Sequence, residues 1–239
     1  MQRRSECFAE YFESVFANSN TLDTAEFEKR SGEFDLQFGR FLPQDRNAKI
    51  LDIGSGAGHF LYYLAQKGYS DYMGIDISPD QVGFCKENVY KHVLLADAFE
   101  FLDGTADSYD FIAAIDVIEH IPKEKVIDFL VLVKSRLKSH GAVLLMMPNM
   151  SNPFSQDSRY RDFTHECGFT EKSIYQVLYV AGYRDISIHP AKLAATGTKG
   201  FLCKVFVSFF HYLIRKMYWY QGFASPTILS SRLIAVAGK

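Results

Sequence analysis

The residues whose types and spacing can do chemistry fall in three groups. The first is Asp52 followed by glycines at 54, 56 and 58, with Ser55 between and His59 directly after. Glycines on alternate positions let the backbone turn sharply and let a ligand approach it closely, and free N–H groups at a helix start receive an anionic group. The second is a pair of acids downstream, Asp76 and Asp97. An acid about 20 residues beyond a glycine turn, at the end of the next strand, can take both hydroxyls of a ribose. The third is Asp116-Val117-Ile118-Glu119-His120, with His165 further on. Imidazoles titrate near neutral pH and suit proton transfer, so His165 and His120 are the candidate bases, with His165 preferred.

The elements that must hold these groups can be read around them. Ile50 to Ile53 is apolar but for Asp52, as expected of a parallel strand buried on both faces, and a helix follows the glycines at once, running to about Lys67 with Gly68 as its stop. Tyr72 to Ile77 and His92 to Ala98 are the second and third strands, each ending in an acid. Between them Ser78 can cap, and Pro79 opens, a helix to about Tyr90. A short helix is expected near Ala98 to Leu102, before Asp103-Gly104-Thr105 breaks the chain.

The dinucleotide fingerprint G-x-G-x-x-G would need a small residue at position 59, where the chain has His59. The pattern present, an apolar strand, an acid and then G-x-G-x-G, resembles motif I of the class I S-adenosylmethionine (SAM) methyltransferases. That resemblance is clear over about residues 45 to 190. It implies a Rossmann-like α/β fold, a seven-stranded, mostly parallel sheet of order 3-2-1-4-5-7-6 with helices on both faces and strand seven antiparallel. It implies SAM as cofactor, held by Asp52, Gly54, Ser55, Gly56, Gly58, His59, Asp76, Ile77, Asp97, Ala98 and Asp116. Asp76 would clasp the ribose, Asp97 would face the adenine amine, His59 would lie near the methionine moiety, and Asp52 would orient the turn or the amino group through water.

Tyr109 to Ile115 is the fourth strand, and the Asp116 to Pro122 segment past its carboxyl end resembles the D-x-x-E-H stretch of ubiquinone-type and sugar-type O-methyltransferases. Lys123 to Lys138 reads as a helix stopped by Gly141, and Ala142 to Met147 as the fifth strand. Met150 to Gly168 is polar and without period, the mark of a long functional loop. A helix from Thr170 as N-cap to Ala181 follows, ended by Gly182, then a sixth strand from Tyr183 to His189 and a last one from Ile228 to Ala237.

At the front, residues 1–44 read as a helical cap on a domain spanning 45–239. One amphipathic helix covers 5–18, and a second carries Phe27, Phe34, Phe38 and Phe41 and ends at Pro43. Leading helices of this kind lie over the cofactor in the resembled family.

Composition narrows the partners. A net charge of −2 leaves no electrostatic footprint for nucleic acid. Cys7, Cys85, Cys167 and Cys203 have no C-x-x-C spacing, so neither a zinc site nor a disulfide framework is expected. The start has no apolar signal region, and a cytoplasmic chain is the expectation. Asp116, Glu119 and His120 can be read as carboxylate-type metal ligands, but with no further ligand cluster evident in the sequence the expectation is no metal.

Residues 199–220 are apolar nearly all round, with Lys199, Lys204, Arg215, Lys216 and Trp219 among them. Such a helix is covered by its own domain or a dimer partner, lies on the inner face of a membrane or a lipid-linked substrate, or walls a pocket. Arg-Asp-Phe-Thr-His at 161–165 followed by Phe-Thr-Glu-Lys-Ser resembles methyltransferases of bacterial surface-glycan and capsule clusters. The function expected is therefore methyl transfer from SAM to a hydroxyl of a small or lipid-linked acceptor, a sugar first. The alternatives are a quinone or polyphenol acceptor, or a non-catalytic SAM-binding module.

Overall fold

The computed structural model describes residues 22–193 and 197–239. The helix expected at 5–18 lies outside them. In chain order the elements are α1 (Thr24–Phe38), β1 (Ile50–Ile53), α2 (His59–Gln66), β2 (Tyr72–Asp76), α3 (Pro79–Asn88), β3 (Val93–Leu95), α4 (Ala98–Gly104) and β4 (Tyr109–Ile115). There follow α5 (Val126–Ser135), β5 (Leu137–Pro148), α6 (Ser155–Arg161), α7 (Glu171–Val180), β6 (Ile186–Pro190), α8 (Gly197–Tyr220) and β7 (Arg232–Gly238).

The strands form one sheet of order β3-β2-β1-β4-β5-β7-β6. β1 to β5 pair in parallel, and β7 runs antiparallel between β5 and β6. Alternate side chains of each strand feed two separate cores, which is why these strands read as continuous apolar runs. From β5, Val143, Leu145 and Met147 join the core under α4, α5 and α7, while Leu144 and Met146 join the one under α1, α2 and α3.

α1 belongs to that second core. Phe38 is fully buried, with its ring 5.7 Å from Phe60 of α2 in an edge-on contact. Burying such a ring contributes about 1.5–3 kcal/mol, so α1 is held to the domain by its aromatic face.

Several local expectations are corrected. Asp76, not Ser78, ties down the start of α3: its Oδ1 accepts from the Ser78 N–H at 2.8 Å, and the Ser78 hydroxyl makes no cap bond. The helix begun near Lys123 ends at Ser135, and β5 starts at Leu137, so Gly141 lies inside the strand. The pairing with β4 jumps from Tyr109↔Leu137 to Phe111↔Ala142, and the residues between are accommodated as an irregularity. The segment after β5 is not a structureless loop but carries the helix α6. A seven-residue polar helix has no apolar period to announce it.

α8 departs most from its sequence signal. Among the described residues it is largely uncovered: Gly200 is its one buried residue, while Phe206 is 69% and Trp219 67% exposed. Phe154 stacks on Phe210 at 5.6 Å, and Arg215 donates to the Thr227 carbonyl, which gives the helix a limited footing on the domain. Among the described residues no helix is long and apolar enough to cross a membrane.

Candidate functional site

Outside the carboxyl ends of β1, β2 and β4 lies a cavity of ≈ 770 Å³, at the upper part of the range usual for small-ligand sites, about 300–1,000 Å³. Its floor is the turn after β1. Gly54 and Gly58 sit at φ +71° and +93°, the left-handed region that a side chain disfavours. A Cβ on Gly54 would overlap the Val117 methyl, and one on Gly58 would come 2.5 Å from the Cys85 sulfur. The turn is thereby pressed against the segment after β4 on one side and α3 on the other.

Asp76 completes the floor. Its Oδ2 accepts from the Gly56 N–H at 2.8 Å, so the tip of β2 and the glycine turn are one unit. Burial pushes its carboxyl up, against the opposing pull of N–H groups from Ser78, Gly56 and Ile77. Asp52, 2% exposed, is pushed well up by burial and then by the neighbouring charge of Asp76. Asp97 caps α4, its Oδ1 accepting from Phe99 and Glu100 N–H groups at 2.8 and 3.2 Å.

Of the residues expected to hold a cofactor, Asp52, Gly54, Ser55, Gly56, His59, Asp76, Ile77, Asp97, Ala98 and Asp116 all line this one cavity. Gly58 does not; it is buried against Cys85 and Val89 and serves the turn. Sequence reading missed Arg30 and Phe34 of α1, Gln81 of α3, Lys125, and Arg232 at the start of β7. None of these belongs to a motif. Only the periodic aromatic face of α1 hinted that this helix reaches the cavity.

His59 stacks on Phe27 with centroids 4.3 Å apart and planes 14° apart. Burial, helped by the charge of Arg30, lowers its pKa to about 4, so the ring is neutral at neutral pH. Asp116 takes a non-glycine φ of +56°, a position that persists only where the surroundings hold it. Here Arg232 holds it, in an ion pair across the mouth of β5.

The two histidines come together, with ring centroids 4.7 Å apart. His120 lines the cavity, and His165, the base preferred from the sequence, packs edge-on against it outside the lining. Asp162 fixes the first tautomer. Burial works against its charge, but the Thr164 hydroxyl and N–H, with both histidines nearby, outweigh it and hold the carboxyl below the usual range. An ionised carboxylate only accepts, so the Thr164 hydroxyl donates to Asp162 (2.6 Å) and accepts from Nδ1–H of His120 (2.9 Å). His165 likewise donates Nδ1–H to the Ser158 carbonyl at 2.8 Å. Both rings therefore keep their basic lone pair on Nε2.

Glu119 completes this group. Its carbonyl accepts from the N–H groups of Glu166 and Cys167 at 2.8 and 3.1 Å, which ties the D-x-x-E-H turn to the loop carrying His165. The residue is 2% exposed, and neither carboxyl oxygen accepts a hydrogen bond from another described residue. Burial pushes this carboxyl up to about 8, with Asp162 adding to the effect.

Residues 27–188 match the methyltransferase domain family. The chain therefore belongs to that family, and its sheet order β3-β2-β1-β4-β5-β7-β6 is the one that the class I resemblance implied. A SAM-dependent methyltransferase from Archaeoglobus fulgidus has the same fold, with a TM-score of 0.66 at 23% identity over 98% of this chain and 99% of that one. Phosphoethanolamine N-methyltransferase 2 of Haemonchus contortus, solved with SAM, gives a TM-score of 0.63 at 17% identity over 97% of this chain and 60% of that one. In sequence, a tRNA U34 carboxymethyltransferase of Azotobacter vinelandii is 29% identical over 107 residues, which are 42% of this chain. The chain matches 32% of that curated relative's length.

Proposed function

We propose that this protein moves the methyl group of SAM to a hydroxyl of a small or lipid-linked acceptor, a sugar first among them. The observation that carries the reading is the single cavity shared by the glycine turn, the acids at the ends of β2 and β3, and His120. Donor and acceptor thus meet in one place. Asp76 and the turn would hold the nucleoside, Asp97 would face the base, and His59 and Asp52 would flank the methionine part.

The sulfonium already makes the methyl carbon electrophilic. The acceptor oxygen forms the new C–O bond as the C–S bond breaks toward sulfur, and the products are a methyl ether, S-adenosylhomocysteine and a released proton. Alignment within a near-attack geometry can supply several kcal/mol, up to about 7–11. His120, with His165 behind it, is the group placed to meet the reacting hydroxyl.

Charged side chains in the remaining lining favour a polyol over a quinone. Lys125, the Asp116–Arg232 ion pair and Arg30 make the wall polar, which suits hydroxyls better than an apolar ring system. A net charge of −2 argues against a nucleic-acid acceptor. Residues 1–44 would act as the cap of a domain spanning 45–239, supported by Arg30 and Phe34 of α1 in the cavity wall. α8 favours a lipid-linked acceptor met at the inner face of a membrane by a cytoplasmic protein. Its outward face is aromatic, and it carries Lys199, Lys204, Arg215 and Lys216 with no acidic residue.

The test is incubation with methyl-labelled SAM and a panel of nucleotide sugars, glycolipids and polyphenols. Label in a sugar ether supports the reading, and label in a polyphenol replaces the acceptor. SAM uptake without transfer to any acceptor would mean a binding module instead.

A further inference from the structure

The polar group beside the cavity contains something that methyl transfer as such does not require. Each of Glu119, His120 and His165 presents a ligand atom within 4.8 Å of those of the other two. Two features make this more than a chance cluster. A carboxyl group that is 2% exposed and accepts no hydrogen bond from any other described residue is costly unless something binds it. The two imidazoles, moreover, are each held by a donated Nδ1–H, to Thr164 and to the Ser158 carbonyl, which turns Nε2 into the ligand atom. Metal-binding histidines are oriented in this way, by a hydrogen bond on the other ring nitrogen.

We propose that Glu119, His120 and His165 form a binding site for one divalent transition cation of the Mn²⁺ or Zn²⁺ kind. Two imidazoles and one carboxylate suit such ions better than Mg²⁺ or Ca²⁺, which favour all-oxygen sites. The ligand atoms, within 4.8 Å of one another, would each move inward by under about an ångström to reach the separation of about 3.4 Å that bonds of about 2.0–2.2 Å set in a tetrahedral site. Because His120 lines the cavity and Glu119 lies behind it, the cation has one open side, and that side faces the acceptor. There it would acidify the acceptor hydroxyl, whose proton leaves to water as the C–O bond forms, and His120 would act as a ligand in place of a base. This role rests on the methyl-transfer reading; the site itself does not.

The test uses the full chain stripped with EDTA and dialysed. Mn²⁺ is titrated in by calorimetry, and Co²⁺ uptake is followed by its visible absorption. SAM binding is measured on the same samples. The expected result is one equivalent of Mn²⁺ per chain, Co²⁺ bands indicating nitrogen ligation, and a loss of affinity of at least tenfold in Glu119→Gln and in His165→Asn, each still binding SAM. If Glu119→Gln fails to take up SAM and so to fold, His165→Asn alone decides. No stoichiometric uptake by the wild type, or equal uptake by wild type and His165→Asn, overturns the proposal. Mn²⁺ taken up by a chain that gives no heat with SAM would support the cation site and sink the methyl-transfer reading.

Discussion

The Thr164 hydroxyl lies 2.9 Å from Nδ1 of His120, and because it donates its own proton to Asp162, it accepts from the imidazole. One threonine thus sets which nitrogen of the cavity histidine carries the lone pair. Removing the hydroxyl frees the ring to turn or to change tautomer. Thr164→Val is expected to lower kcat by ~10–100-fold, as loss of an orienting partner typically does. SAM affinity should stay as in the wild type. Equal kcat in steady-state assays would show that the orientation of His120 is set elsewhere.

Asp76 joins two strands at the floor of the cavity, accepting from Gly56 and Ser78 N–H groups. Asp76→Ala leaves these donors without their partner and removes the proposed ribose contact. Hydrogen bonds to a charged group are worth about 1.5–3 kcal/mol each. Calorimetry should therefore show SAM and S-adenosylhomocysteine bound at least tenfold more weakly. Unchanged affinity for both would place the nucleoside elsewhere.

Gly54 at φ +71° faces Val117 with no room for a methyl group. A left-handed non-glycine residue costs about 1–2 kcal/mol before any overlap is counted. In a chain of this size each kcal/mol lowers Tm by about 2–4 °C. Gly54→Ala should melt at least that much lower and lose SAM-induced stabilisation. A scan by differential scanning fluorimetry with and without SAM measures both.

His59 gives the free protein an acid-side weakness. Its pKa falls from 6.5 to about 4 on folding, chiefly through burial. Below the ordinary value the unfolded chain binds a proton that the folded chain does not. Stability contributed by the neutral ring is thus complete above pH 6.5 and drains away as pH falls toward 4. His59→Gln, which cannot titrate, should show a shallower fall of Tm across this window. Parallel slopes in wild type and variant would assign the acid sensitivity to other groups.

α8 carries its aromatic side chains outward and has no acidic residue to repel an anionic surface. Vesicles rich in anionic lipid should carry the wild-type protein upward in flotation, less so at high salt because the charge term is screened. Phe206→Glu should stay at the bottom of the gradient. Wild-type protein remaining there as well removes the membrane from the proposal.

Local chemistry made the first half of this site legible in the sequence. The apolar run before Asp52, the alternate glycines and the acids at the ends of β2 and β3 interact over short or regular spacings, and all but Gly58 of the residues they implicate reach one cavity. The order of the sheet came through the resemblance that these motifs carry. The short helix α6 and the early start of β5 escaped, because neither has a hydrophobic period of its own.

The second half belongs to tertiary structure. Along the chain Glu119 and His120 stand far from His165, and spacing offers Asp116, not His165, as their companion. The fold supplies it: N–H groups of Glu166 and Cys167 bind the carbonyl of Glu119, and Thr164 binds His120. Backbone hydrogen bonding between two loops carries no side-chain signature, so no pattern in the sequence could announce that these three side chains share one place. The exposure of α8 was decided in the same way, since apolar residues state that a helix seeks cover and only the fold shows that the described residues leave it exposed.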